Sequence, residues 1–292
     1  MDVQVVSIGE LLFDVFPDGE RLGGAPSNFA YHAAALGARS ALISAVGDDD
    51  RGRRAVEALG RAEVDVSRVS VISGKSTGIV EVEVTAGQPA YEIVEDVAWD
   101  SLVLPGDTHS RIANADLFCW GTLGQRSCRS HHAHRQLFDM LPPTCTCVFD
   151  INFRMHFHNF NVVEEGLARA NVLKLNDEEV PVLREYVSGP ADTRDFLRSI
   201  RHRFDIETVV LTLGDAGCRV SAEDVGFGVP SESVEVLNTV GAGDAFTAAF
   251  VLSLMAGQDL WASAKHANRV GAYVATQDSG MPAMPQSYRI AL

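Results

Sequence analysis

The chain has 292 residues, 46% of them hydrophobic and 22% charged, with a formal net charge of −15 at pH 7. That length suits one large α/β domain with an appendage, and the acidic balance argues against nucleic acid or an anionic membrane surface, because phosphate binding needs a basic footprint. No apolar run approaches the ~18 residues of a membrane span, and MDVQVVSIGE has neither a basic leader nor a long apolar stretch, so a cytoplasmic protein is expected.

Val3 to Ile8 reads as a first buried strand ending at Gly9. Pro26 opens a helix through Leu36, and Gly37 is suited to a left-handed C-terminal cap. Ser40 to Val46 returns as a strand, and Arg51 to Leu59 has a helical pattern. Residues 78–95 differ: Val80, Val82 and Val84 alternate with Glu81 and Glu83, TAGQP makes a turn, and YEIVE resumes the alternation. That is a half-exposed antiparallel hairpin, projecting from the main body as a small sheet.

After Pro105 the rhythm becomes strand, helix, strand. Leu117–Trp120, Cys145–Ile151, Asn171–Leu175 and Thr208–Leu213 are the expected strands, with helices between them, which implies a parallel sheet covered on both faces. The five cysteines lack framework spacing and read as reduced thiols; Cys145 and Cys147 would share one strand face in the core rather than hold a metal. HHAH at 131–134 reads as solvated helix surface. Ala245–Met255 and Leu260–Ala275 are strongly helical, and Ser233 to Leu237 reads as an apolar extended lead into NTVGAGDAF at 238–246.

That last stretch puts Gly241, Ala242 and Gly243 where backbone N–H groups lack intrahelical acceptors. With the positive end of the helix dipole, they make a site for an anion. A plain cap, with Asp244 satisfying the helix and the glycines forming a turn, explains the same segment. Phosphoryl transfer to an alcohol favours the first reading, because a carboxylate beside an amide-lined pocket can take the hydroxyl proton. There is no G-x-x-x-x-G-K-[ST] loop, no H-R-D loop, and no G-x-G-x-x-G after the first strand, where the chain has GELLFD instead.

GAGD before a late helix, together with GGAPSNFAYHAAALGARSALISAVGDDDRGRR near the start, resembles the two signatures of the ribokinase-like (phosphofructokinase-B type) carbohydrate kinases. The resemblance runs from Ile8 to Pro285. It implies a single kinase domain over residues 1–292: a three-layer α/β/α fold with a central, mostly parallel sheet and a small β-sheet lid formed by about 12–22 and 78–98. By the same resemblance Asp244 is the catalytic base, and Gly241, Ala242 and Gly243 form the anion hole. Asp14, Gly23, Gly24 and Asn28 are sugar-binding positions. Asn28 as a helix cap and the two glycines as a plain turn are the alternatives.

DINFR at 150–154 resembles the family's D-x-N-x-R, with Arg154 facing phosphate or sugar, or otherwise held in a surface ion pair. KLNDEE at 174–179 resembles K-x-N-x-x-E, which implies Lys174 and Asn176 at the nucleotide, and Asn176 with Glu179 organising Mg2+ through water. Acidic charge favoured by a helix N-terminus is the alternative there. Thr212, Gly214 and Gly217 resemble a nucleotide-binding T-x-G-x-x-G, or else form a hairpin turn, and Asn268 would approach the base from the last helix or be merely exposed. Asn238 stands where the family commonly has an Asp that helps hold a monovalent cation. An amide oxygen is a weaker K+ ligand, so strong K+ activation is not expected. Gly280 and Met281 stand where the family often has Gly-Ala.

YEIVEDVAWD at 91–100 is similar to bacterial fructokinases, which implies MgATP and D-fructose as substrates and the primary 6-hydroxyl as acceptor. A kinase for 2-keto-3-deoxygluconate or ribose, a non-catalytic sugar or nucleotide sensor, and a dinucleotide oxidoreductase are the other readings, the last ranked lowest. An exposed lid sheet invites pairing with a second lid, so a homodimer is an open expectation.

Overall fold

The computed structural model describes residues 2–85, 88–223 and 225–292. β1 (Gln4–Ile8) leads directly into the antiparallel pair β2 (Leu12–Phe16) and β3 (Gly19–Gly23), followed by α1 (Ala25–Leu36), β4 (Arg39–Gly47), α2 (Asp50–Arg61) and β5 (Asp65–Ile72). β6 (Gly78–Thr85) and β7 (Gln88–Ile93) pair antiparallel, from Val80 against Ile93 to Thr85 against Gln88. The turn expected between them falls on Ala86 and Gly87, which lie outside the described residues.

The chain then alternates: α3 (Thr108–Ile112), β8 (Leu117–Trp120), α4 (Cys128–Phe138), β9 (Thr146–Asp150), α5 (Phe160–Leu167), β10 (Val172–Asn176), α6 (Glu179–Val187), α7 (Thr193–Phe204) and β11 (Thr208–Thr212). It closes with β12 (Cys218–Ala222), β13 (Val225–Val229), α8 (Ala242–Met255) and α9 (Leu260–Ala275).

The large sheet runs β13-β12-β11-β10-β9-β8-β1-β4-β5, and β2 and β3 join β6 and β7 in a separate sheet of order β3-β2-β6-β7. From β11 to β5 every pairing in the large sheet is parallel; only β12 and β13 run antiparallel at one end. The strand order reverses beside β1, whose neighbours are β8 and β4, and crevices at such a reversal open at the carboxyl ends of the strands.

Two apolar layers cover the sheet. Phe29, Ala33 and Leu36 of α1 pack with Phe250 and Leu252 of α8 and with Val270 and Val274 of α9 on one face. On the other, Leu137, Val163, Leu183 and Phe196 of α4 to α7 pack on Phe118, Phe149 and Leu211. α8 is apolar on nearly all sides, as a helix wedged between two others must be. Leu12, Val80, Ile93, Val97, Trp99, Leu123 and Phe157 form a distinct small core under the lid sheet.

Two sequence expectations are corrected. Residues 233–237 carry no strand: Val234, Val236 and Leu237 are exposed, and the segment runs as a loop whose last amides reach Ala275 O. Leu237 and Asn238 N–H both turn to Ala275 O at the end of α9, and no strand among the described residues pairs with the segment. The HHAH stretch is not all surface. His134 is fully buried, its Nδ1 bonded to Ser130 O at 2.8 Å, because position 134 falls on the inner face of α4 with Ala133 and Leu137. Cys145 is buried and Cys147 half-buried, and all five cysteines are free. No helix of the described residues is long and apolar enough to cross a membrane.

The lid is tied to the body by Arg126. Its guanidinium forms a fork on Asp100 at 2.8 and 2.7 Å, donates to Val94 O at 2.6 Å, and lies 4.0 Å from the Trp99 ring. Both side chains of the pair are nearly inaccessible, 5% and 8% exposed. Replacing Arg126 by Met should leave a buried unpaired carboxylate and cost about 3–5 kcal/mol. Urea unfolding measures this, and a loss below about 1 kcal/mol would show that the fork holds nothing in place.

Candidate active site

A cleft of about 460 Å³ opens between the carboxyl ends of the body strands and the lid sheet. β1 delivers Glu10, β9 leads to Asn152 and Arg154, β10 carries Lys174 and Asn176, and β11 ends on Thr212. The lid contributes Leu12, Asp14, Val80, Tyr91 and Ile93, and α1 and α8 bring Gly24, Asn28, Gly241, Gly243 and Asp244 to the same wall.

The start of α8 is built around Gly241, whose φ of 77° is left-handed and makes it the N-cap. A β-carbon there would lie 2.4 Å from Gly280 O, so glycine is required by both conformation and space. The helix ladder begins with Ala245 N–H donating to Gly241 O at 2.9 Å, while Ala242 N–H turns back to Thr239 O at 3.3 Å. Asp244 is therefore the third residue inside the helix and not its cap. Its Oδ2 accepts Asn28 Nδ2 at 2.7 Å, a bond between residues 216 apart in sequence. Asn28 likewise does not cap α1, whose N-cap, Gly24, makes no side-chain bond; the Asn28 N–H returns to Gly24 O at 2.9 Å.

Three carboxyls in the cleft are harder to ionise than usual. Burial, then the nearby Asp150 charge, raises the Asp244 pKa to about 6 against the pull of Asn28, Lys174 and Arg154. Burial raises Asp14 to about 6, opposed by Arg154 and Arg21. Burial raises Glu10 to about 7, opposed by its backbone contacts and Arg154. Clusters of shifted carboxyls in a cleft are where proton transfer is found.

The cations are placed to complement them. Lys174 Nζ bonds Asp150 Oδ1 at 3.0 Å with both side chains buried, and it lies 3.4 Å from where a β-carbon of Gly243 would sit. Burial works against that ammonium, but Asp150, Glu179 and Asp244 outweigh it and hold its pKa above the usual value. Arg154 is exposed, donates to Phe153 O at 3.1 Å, and makes no ion pair among the described residues, so its charge is available to a ligand. The result is a cationic and amide-lined end next to a carboxylate. Such an arrangement can take a proton from an alcohol while stabilising charge on an incoming phosphoryl group.

Other expected site residues lie behind the wall. Gly23 is buried against Asp14: a β-carbon on it would come 2.5 Å from Asp14 Oδ2. Ala242 and Glu179 do not line the cleft. Glu179 accepts Asn176 N–H at 2.7 Å and Phe153 N–H at 3.0 Å, while its own N–H donates to Asn176 Oδ1 at 2.9 Å, a reciprocal brace like a capping box. Gly214 and Gly217 form the hairpin between β11 and β12, away from the lining. Asn238 is engaged on both sides, Oδ1 accepting Val240 N–H at 3.0 Å and Nδ2 donating to Asp278 O at 3.3 Å. Asn268 is buried and donates to Val229 O at 2.9 Å and Pro230 O at 3.3 Å.

Sequence reasoning did not single out Glu10, Asp150, Asn152, Tyr91 or Thr247. Asp150 and Asn152 lay within DINFR and could have been read from it. Thr247, one turn beyond Asp244, donates to Asp150 Oδ2 at 2.9 Å and ties α8 to β9.

The sequence matches the pfkB family carbohydrate kinases over residues 4–287. It is 28% identical to a fructokinase of Klebsiella pneumoniae, over 98% of this chain and 97% of that protein. An uncharacterized sugar kinase from Pyrococcus horikoshii, solved in complex with ATP, superposes with a TM-score of 0.81 at 28% identity, covering 95% of this chain and 94% of that one. A fructokinase from Vibrio cholerae, solved in fructose, ADP and calcium ion bound form, gives 0.85 at 26% identity over 98% and 97%.

The raised Asp244 pKa has a thermodynamic signature. A carboxyl whose folded pKa lies near 6 binds its proton more tightly in the folded state, so stability falls as pH rises from about 4 through 6. Asp244→Asn should therefore stabilise the protein at pH 7.5 by about 1–3 kcal/mol, with the gain shrinking as pH drops towards 4. Urea titrations at several pH values check it; a pH-independent difference would mean that the carboxyl titrates normally.

Proposed function

The chain belongs to the pfkB family of carbohydrate kinases, and from that premise we propose that it transfers the γ-phosphoryl group of MgATP to the primary 6-hydroxyl of D-fructose. The observation that carries the reading is Asp244: a carboxylate in the first turn of α8, beside its uncapped amides, held by Asn28 at 2.7 Å in the cleft that Asp14 also lines. Fructose as the acceptor draws support from the fructokinases among its relatives and from a lid that meets the cleft with Val80, Tyr91 and Ile93.

The sugar is bound by Asp14 and Asn28, with Gly24 allowing the ring close to the backbone and Gly23 leaving room behind the Asp14 carboxylate that meets the sugar. Asn28 Oδ1 has no partner among the described residues, which leaves an acceptor for a donating hydroxyl once the cleft closes. Closure of the lid excludes water. Asp244 accepts the 6-hydroxyl proton as that oxygen bonds to the γ-phosphorus and the bond to the β-phosphate bridging oxygen breaks, releasing ADP. The amides of the Gly241–Gly243 turn, Lys174 and Arg154 disperse the charge. Thr212, Gly214, Gly217 and Asn268 are assigned to the nucleotide side.

Mg2+ enters with the nucleotide and neutralises phosphate oxygens when bound. Asn176 lines the cleft and Glu179 braces it from behind the wall, each Glu179 oxygen bonded to one N–H and keeping a lone pair, so an ion that retains its waters, and meets Glu179 only through them, fits these residues. Asn238 is assigned to a weak monovalent-cation site. The free thiols fit a cytoplasmic setting, and β3 and β7, the edges of the lid sheet, offer strands through which a second copy could form a homodimer.

A coupled ADP-release assay with D-fructose, 2-keto-3-deoxygluconate and D-ribose tests the substrate; the highest kcat/KM on another sugar overturns fructose. Asp244→Asn should lower kcat by at least about 10²-fold with nucleotide binding intact. The wild-type kcat/KM should fall below a pH near 6, where Asp244 becomes protonated. Asn238→Asp should increase stimulation by K+, and an unaltered K+ response would remove the cation assignment.

A further inference from the structure

We propose that His32 is a positioning residue that sets the amide turn of α8 relative to the sugar side of the cleft, acting through the carbonyl of Gly280. The proposal rests on the reading that this turn receives the phosphoryl group. His32 is fully buried in α1, just ahead of three alanines in the run AYHAAAL, and its Nε2 lies 2.9 Å from Gly280 O. A carbonyl only accepts, so Nε2 carries the hydrogen, and Nδ1 has no partner among the described residues. Burial lowers the ring's pKa to about 4, so the imidazole is a neutral, permanent donor at working pH.

The same carbonyl is what Gly241 packs on. A β-carbon on Gly241 would meet Gly280 O at 2.4 Å and Gly280 Cα at 2.7 Å, so the two backbones touch with no side chain between them. A β-carbon on Gly280 would in turn meet Val240 Cγ1 at 3.2 Å, so that glycine lies close against Val240. Any shift of Gly280 is therefore passed straight to the cap of α8. The next residue along on the other side, Tyr31, donates its hydroxyl to Pro282 O at 2.9 Å. Two adjacent side chains of α1 thus hold the 280–282 segment at both ends.

Gly24, Asn28 and His32 recur at a spacing of four and lie along one side of α1. The first sits on the sugar side of the cleft, the second grips Asp244, and the third fixes the support of Gly241. One rigid helix thereby spaces the acceptor hydroxyl, the carboxylate and the amide turn. Small displacements between such groups are expensive in rate and cheap in binding.

His32→Leu keeps the volume and removes the donor, and His32→Gln keeps a donor able to reach the carbonyl. Expected for Leu is a kcat lower by about tenfold to a hundredfold, with sugar KM and ADP affinity within about threefold of wild type, and for Gln a recovery of most of the lost kcat. Hydrogen exchange of a peptide spanning 238–248 should be faster in the Leu variant than in either wild type or Gln. Unchanged kcat and unchanged exchange in a folded Leu variant overturn the proposal, as does an equal loss in Leu and Gln. Should His32→Leu not fold, Gly280→Ala presses on Val240 from the same place and must give the same kcat-selective loss; normal turnover there overturns it too. The exchange comparison needs no sugar, so it decides the role of His32 even where the substrate panel rejects fructose.

Discussion

The hydrogen bond from Asn28 to Asp244 is the constraint around which the cleft is organised. It joins the first turn of α1, which follows the lid pair β2 and β3, to the first turn of α8, near the end of the chain. Because both helices also bury apolar faces against the same side of the sheet, neither can move to relax that contact without opening the layer that contains Phe29 and Phe250. A buried carboxylate that accepts a single neutral donor is costly. The bond persists because packing over-determines it, and the Asp244 pKa stays raised because burial and the Asp150 charge outweigh what Asn28 returns.

Around it the charges are arranged in two ranks. Lys174 and Asp150 pair in the interior, with Thr247 on the second carboxylate oxygen, so that rank is internally satisfied. Arg154 stands at the surface of the cleft without a carboxylate and lowers the pKa of Glu10, Asp14 and Asp244 alike. A ligand phosphate would meet a free guanidinium in front and a spoken-for ammonium behind. The second cation shapes the potential and holds β9, β10 and α8 together, whereas the first is free to bind.

Local pattern carried much of this architecture. α1 was legible from Pro26 and Gly37, the hairpin of β6 and β7 from strict alternation, and the parallel body from its repeating rhythm. What failed was set by tertiary partners. His134 looks polar in HHAH but lies on the one side of α4 that faces the sheet. Ser233–Leu237 is apolar enough for a strand and stays a loop because no edge receives it. The site was legible as motifs but not as a network: no local feature of NTVGAGDAF points to Asn28, and nothing in IGELL announces that Glu10 would be buried with its Oε2 unpartnered at the foot of the cleft. Motif residues such as Gly217 and Asn268 proved to have backbone-shaping positions, visible only once the chain is folded.

The lid sheet is packed on both faces: Leu12, Val80 and Ile93 meet Trp99 and Phe157 on one, while Phe13, Leu22 and Ile79 pack with Ala30 and Ala34 of α1 on the other. Substitutions among side chains that touch across that second face couple rather than add. A repacking of the lid's underside is therefore felt by the helix that carries Asn28, and through it by Asp244.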